Sequence, residues 1–215
     1  MAARYPLMLD LEGRPCLVVG GGAVATRKVL GLLGSGAQVT IVSPALSAPL
    51  AQLAAVGSVR WAEGRYASLA RADDGRPWAF VVAATDEPEV NDQVVADAER
   101  AGTWVNHAGS SDGGPAAVPA SRAAGRLTVA VSTAGAHPAA ASWLCDRAVD
   151  ALGTEVEVLL DLVVAVAAED RAAGGTGARP DWRQAVDSGT LELIREGRVA
   201  EAKERLQACL SSSSD

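Results

Sequence analysis

Hydrophobic positions in this chain follow two regimes. Up to residue 133, short uninterrupted apolar runs alternate with helically spaced stretches, and beyond Gly153 only helical spacing remains. The runs at 16–19 and 78–84 are wholly apolar, as expected of strands covered on both sides, 38–43 reads as a second buried strand, 104–108 as a fifth strand, and 59–61 as a shorter one. Val29, Leu32 and Leu33 mark one face of a helix that Gly34-Ser35-Gly36 stops. Residues 46–56 form the next helix, and 94–101 another that Gly102 ends. Residues 65–75 read as a polar connection. A strand at 126–133 stops at Ala134-Gly135-Ala136-His137, and Pro138 opens a helix running to Leu152. In the tail, Val156, Leu159, Leu160, Val163 and Val166 give an amphipathic helix over 155–168. Gly174-Gly175-Thr176-Gly177 reads as a linker, with shorter helices at 180–186, 190–196 and 199–210 and disorder expected over 211–215.

A strand, a crossover helix and a strand within about thirty residues form a right-handed βαβ unit. At its first turn Gly20, Gly22 and Ala25 fill the G-x-G-x-x-G/A fingerprint. Gly20 makes the turn, Gly22 lets the backbone approach a pyrophosphate, Ala25 keeps helix and strand close, and the pyrophosphate rests on the helix N-terminus. The second strand ends in Ser43-Pro44-Ala45 instead of the usual ribose-binding acid, and no arginine stands there for a 2′-phosphate. Only a mild preference for NAD over NADP follows. Thr85 and Asp86 fall at the carboxyl end of the strand at 78–84, where ligands gather in such sheets, although Asp86-Glu87-Pro88-Glu89 is also good helix-start chemistry. The expected fold is α/β. A Rossmann-like parallel sheet over residues 1–115 is followed by a dimerisation and substrate segment over 116–153 and a small helical domain over 154–215.

Composition narrows the function. The chain has 215 residues with one Phe and two Tyr, so its core is built from small aliphatics. A formal net charge of −7 argues against nucleic acid or an anionic membrane as partner. Cys16, Cys145 and Cys209 lack metal or disulfide spacing and read as buried small hydrophobes, so no metal site is expected. With no leader and no spanning run, a cytoplasmic protein is expected.

Several segments in fixed order carry a resemblance: Tyr5-Pro-Leu-Met-Leu-Asp-Leu, Val19-Gly-Gly-Gly-Ala-Val-Ala-Thr-Arg-Lys, Ala83-Ala-Thr-Asp-Glu-Pro-Glu-Val-Asn, Val105-Asn106, Pro119-Ala120 and Val129-Ala-Val-Ser-Thr-Ala-Gly. From about Tyr5 to Leu152 the chain resembles the precorrin-2 dehydrogenase/sirohydrochlorin ferrochelatase family, in its freestanding form without a fused methyltransferase. The resemblance implies an enzyme that oxidises precorrin-2 with NAD to sirohydrochlorin, with Fe²⁺ as a further substrate in bifunctional members. It also implies a homodimer binding its tetrapyrrole between protomers. The corresponding NAD positions are Gly20, Gly22, Ala23, Val24, Ser43, Pro44, Ala45, Thr85 and Asp86. Ser132 matches an active-site serine that is phosphorylated in some members. Where the family has a catalytic Asp, this chain has Gly109, and Ser142 stands where an Arg is common.

Proton-transfer candidates are then His107 at a strand end, Asp112 in the loop over 109–115, and His137 before a helix; the alternative for each histidine is a hydrogen-bonded structural imidazole and for Asp112 a solvated turn residue. His137 is grouped with Arg122 and Arg126 as substrate-binding, and Arg147 is a further cation for an acidic tetrapyrrole, though these arginines can equally be solvated surface. The runner-up function is a non-catalytic protein that holds a tetrapyrrole or NAD for delivery or sensing.

Overall fold

The computed structural model of the chain describes residues 4–110, 113–172 and 189–211, with side chains as far as 208. It divides into two compact units, Met1–Val118 and Pro119–Asp215.

In the first unit, β1 (Pro15–Val19), β2 (Gln38–Ser43), β3 (Arg60–Glu63), β4 (Phe80–Ala83) and β5 (Trp104–His107) form one parallel sheet in the order β3-β2-β1-β4-β5. The helices α1 (Ala23–Gly34) and α2 (Ala48–Ala55) cover one face, packing Ala25, Val29, Leu32 and Leu50 onto Val18, Ile41 and Val82. On the other face, α3 (Pro88–Arg100) sets Val94 and Ala98 against Val81, Ala83 and Val105. This is a Rossmann-like α/β unit. Strand order reverses between β1 and β4, which opens a crevice at their carboxyl ends.

Three features differ from the sequence expectation. The helix expected from Val94 begins at Pro88, because Pro fits the first helical position and Glu89 the positive end of the dipole. The stretch expected as a polar connection, 65–75, carries core side chains: Tyr66, Leu69 and Ala72, joined by Trp78 from the start of the expected strand 78–84, close the α3 face of β1 and β4 without a helix. There Trp78 Nε1 donates to the Ala70 carbonyl at 2.5 Å and Tyr66 Oη to Asp97 at 2.8 Å. Trp78 thus precedes β4 and belongs to this irregular cover.

The third difference lies in the second unit, where β6 (Ala120–Ala124) was not anticipated. It pairs antiparallel with β7 (Leu127–Val131) across Gly125, whose φ of +53° suits glycine. Its Ala-Ser-Arg-Ala-Ala sequence shows no apolar alternation, so the strand depends on β7 and on α4 (Pro138–Leu152), which packs against both strands. Cys145 is buried there with its Sγ 3.3 Å from the Val129 carbonyl. The remaining helices, α5 (Glu155–Ala172), α6 (Thr190–Arg195) and α7 (Val199–Ser211), enclose Leu159, Val166, Leu193, Ile194, Ala202 and Leu206. The expected linker at 174–177, the helix at 180–186 and residues 212–215 lie outside the described residues, whereas Ser211 ends α7. Among the described residues no helix is long and apolar enough to cross a membrane.

Candidate functional site

The three consecutive glycines after β1 do three different jobs. Gly20 has φ +122°, and a Cβ there would overlap the Ala84 carbonyl group, whose carbon lies at 2.6 Å. Its glycine is therefore demanded by the close approach of the turn to the end of β4. Gly21 faces the other way: a Cβ would overlap the Ala45 carbonyl oxygen and come within 2.6 Å of Ser43 Oγ, while its carbonyl accepts from Ser47 N–H at 2.8 Å. Gly22 caps α1 with an ordinary extended backbone, φ −85° and ψ −168°, and a Cβ there would meet nothing within 4 Å.

Neither strain nor packing requires glycine at position 22. Open space over an N-cap glycine is what a ligand approaching the backbone uses, and this observation fits a dinucleotide pyrophosphate. The helical hydrogen bonds of α1 begin with Thr26 N–H to the Gly22 carbonyl at 2.9 Å, so the N–H groups of Ala23, Val24 and Ala25 have no acceptor within the helix. Ala23 and Val24 are exposed, and Ala25 is fully buried beneath them. Thr26 Oγ1 lies 2.9 Å from Ser47 Oγ, tying α1 to the start of α2.

Around this turn the structure gathers the other candidates of the first unit. The Ser43 hydroxyl is buried and donates to the Ala45 carbonyl at 2.7 Å, holding the exposed Pro44-Ala45 bend. Thr85 is locked by Asn91, whose Oδ1 accepts from the Thr85 N–H at 3.0 Å and hydroxyl at 2.9 Å and whose Nδ2 donates to the Thr85 carbonyl at 3.0 Å. Asp86 is exposed beside it. The sequence reading missed Gly21 and Asn91. A third glycine beyond what the fingerprint needs was the available signal for Gly21, whereas nothing marked Asn91 as the anchor of a turn six residues upstream.

On β5, Asn106 and His107 point to opposite faces. Asn106 is buried on the α1 side and donates to the Ala116 carbonyl at 3.0 Å, while among the described residues its Oδ1 has no donor. Such an unpaired group costs about 1–3 kcal/mol. The nearly buried His107 ring accepts from Gly109 N–H through Nδ1 at 3.2 Å and faces exposed Asp92 on α3, Nε2 to Oδ1 3.8 Å. A Cβ on Gly109 would lie 3.4 Å from His107 Cε1, so that position accepts a side chain beside the imidazole, whereas Gly113 lies too close to the ring to carry one. Asp112 lies outside the described residues.

The remaining candidates belong to the second unit. Arg122 is engaged by Asp146 of α4, Nε to Oδ1 2.6 Å, and Arg126 Nη1 is 3.4 Å from Asp161 Oδ1 of α5, so both arginines already have carboxylate partners. Ser132 and His137 share the turn before α4. The exposed Ser132 Oγ accepts from Ala134 N–H at 3.3 Å, and His137 caps α4 by accepting Ala140 N–H on Nδ1 at 3.2 Å. Ala134 holds φ +51° and Gly135 φ +81°. Burial pushes the Cys16 thiol up to about 11, with a backbone hydrogen bond from Phe80 partly opposing it, so this group behaves as an inert small hydrophobe. Among the described residues, no three His, Cys, Asp or Glu side chains group as metal ligands.

A protein-family model described as "Putative NAD(P)-binding" matches residues 7–120, more than half of the chain. The chain belongs to this NAD(P)-binding family. The chain is 39% identical over 134 residues to a precorrin-2 dehydrogenase of Priestia megaterium, covering 62% of this chain and 64% of that protein. It is 42% identical over 134 residues to a siroheme synthase of Chromobacterium violaceum, covering 62% of this chain and 28% of that protein. The chain thus spans under two thirds of the length of either relative. Among solved structures, SirC, a precorrin-2 dehydrogenase, superposes with a TM-score of 0.65 at 29% identity, covering 95% of this chain and 98% of that one.

Proposed function

We propose that this protein is an NAD-dependent precorrin-2 dehydrogenase of siroheme synthesis. The observation that carries the reading is Gly22, a glycine that neither the backbone nor the packing of this chain needs, set at a helix N-terminus in a chain whose relatives are named precorrin-2 dehydrogenases and siroheme synthases. Oxidation to sirohydrochlorin removes a hydride and a proton from the tetrapyrrole, and bound NAD supplies the hydride acceptor. The chain's own contribution is placement. The α1 N–H groups and Gly22 hold the pyrophosphate, the Ser43-Pro44-Ala45 bend borders the adenosine half, and the Thr85–Asn91 lock fixes the wall after β4.

For the proton, His107 and Asp112 are the candidate acceptors. Ser132 is a candidate active-site hydroxyl, and Arg122, Arg126 and His137 are candidate contacts for substrate carboxylates. In that role the arginines exchange Asp146 and Asp161 for the ligand, which fits the exposure of both ion pairs. A homodimer in the cytoplasm completes the proposal. The exposed Ser121, Ala123, Thr128 and Ala130 of the hairpin and the exposed Trp143 and Leu144 of α4 support a second copy as partner.

The test is full-length protein mixed with precorrin-2 and NAD, with NADH absorbance followed against time and Fe²⁺ added afterwards. Enzyme-dependent NADH supports dehydrogenation, and subsequent siroheme formation adds iron insertion. A second reading rests on Gly109, which supplies no carboxylate where the resembled family has one: a protein that binds tetrapyrrole or NAD without turning it over. Tight binding with no NADH would favour it. Light scattering that gives a monomer at micromolar concentration would refute the dimer.

A further inference from the structure

The adenosine end of the dinucleotide site lacks its usual carboxylate, because β2 ends in Ser43 and that hydroxyl already donates to the Ala45 carbonyl. The neighbouring strand supplies an acid at the same level. Parallel pairing sets Ser43 opposite Glu63, the last residue of β3. Residues paired across a parallel ladder project to the same face, and alternation along β3 puts Glu63 on the side of Trp61. That side is the α1 and α2 face, since Trp61 pairs with Ile41 of the α1–α2 core and lines one hollow with Ala51, Ala54 and Ala55 of α2. It is also the side of the glycine turn, because Ser43 Oγ lies beneath Gly21.

The surroundings hold the strand end and leave the carboxylate available. The Ser43 carbonyl accepts from both Trp61 Nε1 at 3.0 Å and Gly64 N–H at 3.2 Å, which fixes the end of β3 against the end of β2. Glu63 itself is exposed, and among the described residues no hydrogen bond or ion pair occupies its carboxylate. The adjacent basic residue, Arg65, is paired with Glu87 at 3.0 Å. Strands lie about 4.8 Å apart, and a glutamate carries its carboxylate one carbon further than an aspartate, so an acid on β3 still borders the bend at Ser43-Pro44-Ala45.

We propose that Glu63 is the residue that selects NAD over NADP in this chain, accepting hydrogen bonds from the adenosine ribose hydroxyls and repelling a 2′-phosphate. The proposal rests on the dinucleotide site described above and supplies the determinant that Ser43 does not. Discrimination then exceeds the mild preference expected from Ser43 alone, because a carboxylate facing a phosphate is a like-charge contact as well as a lost hydrogen bond.

The test is calorimetric titration of the full chain with NAD, NADP and ADP-ribose, for wild type, Glu63→Gln, Glu63→Ala and Gly22→Val. Wild type is expected to bind NAD at least about tenfold more tightly than NADP. Glu63→Gln should raise NADP affinity until the ratio approaches one. Glu63→Ala should weaken NAD and ADP-ribose by a similar factor of about tenfold, because the residue acts on the ribose and not on the nicotinamide. Unchanged melting temperatures are expected for both, given the exposure of Glu63. If wild type binds NAD and Gly22→Val binds it more weakly, while neither Glu63 variant moves the NAD to NADP ratio, the role of Glu63 is overturned and the site stands. If wild type binds no dinucleotide, the site reading falls, and this proposal with it.

Discussion

Replacing Gly20 and Gly22 one at a time separates a glycine required by the fold from one required by a ligand. Gly20→Ala puts a Cβ into a left-handed backbone at φ +122° and within 2.6 Å of the Ala84 carbonyl carbon. The conformation costs about 1–2 kcal/mol, and moving backbone to relieve the overlap costs about 1–3 more. A total of about 2–5 kcal/mol corresponds to a fall in melting temperature of about 4–20 °C for a chain of this size. Gly22→Val meets no protein atom within 4 Å and needs no unusual φ. Its cost is that of a poorer N-cap, about 1 kcal/mol. Its branched side chain fills the space over the α1 N-terminus, and crowding of about 1–3 kcal/mol weakens NAD about 5- to 150-fold. Scanning calorimetry measures the first quantity and titration calorimetry the second. Equal destabilisation by the two substitutions, or wild-type NAD affinity in Gly22→Val, would refute the assignment of separate jobs.

Asn91→Ala removes the three hydrogen bonds that lock Thr85, and stability by urea denaturation should fall by about 2–4 kcal/mol; a loss below about 1 would show the turn holds itself. Gly109→Asp should fold normally, since the new Cβ makes only van der Waals contact with His107, and should raise precorrin-2 oxidation if the wild type lacks a positioned carboxylate. A brisk wild-type rate that the substitution leaves alone would count against that reading. Acid should loosen the C-terminal helices. The Glu155 carboxyl is held below the usual range by its own backbone N–H and by Arg195, Glu169 by Lys203 and Gln207, and Glu201 by Arg198. Groups with depressed folded-state values stabilise above their unfolded pKa of about 4.3 and lose that contribution as pH falls through the folded value. Melting followed by circular dichroism should therefore be steady from neutral pH to about pH 5 and decline below it, and a rise on acidification would contradict these pairings.

Strands β1 and β4 were legible in the sequence because burial on both faces leaves uninterrupted apolar runs, and β2 and β5 because Val39, Ile41 and Val42, and Trp104 and Val105, stand between glycine or proline breaks. The hairpin strand β6 was not, because Ala120, Ser121, Ala123 and Ala124 owe their extended form to β7 and α4 and not to any pattern of their own. Tyr66, Leu69 and Ala72 are separated by polar and small residues in a stretch rich in Arg, Asp and Gly, so their role in the core, beside Trp78, appears only once the chain folds over β1 and β4. In the candidate site, residue types were readable and partners were not. Ser43 was visible as a hydroxyl at a strand end, but its commitment to Ala45 depends on the bend that follows. Arg122 and Arg126 were visible as cations, but Asp146 and Asp161 come from separate helices. Gly21 escaped because the fingerprint leaves its position free.

The irregular cover over the α3 face of the sheet gives the first unit unequal resistance to opening. A helix there would close its own backbone hydrogen bonds, whereas this segment leans on side-chain fastenings such as Trp78 to Ala70, Tyr66 to Asp97 and Gln93 to the Ala67 carbonyl. It can therefore lift as a small cooperative piece while the strands stay paired, exposing Leu17 and Val19 on the central strand that leads into the glycine turn. Amide exchange should run fastest along this cover and slowest in β1 and β4. Proteases that reach the first unit from this side would cut there, leaving the sheet beneath still assembled.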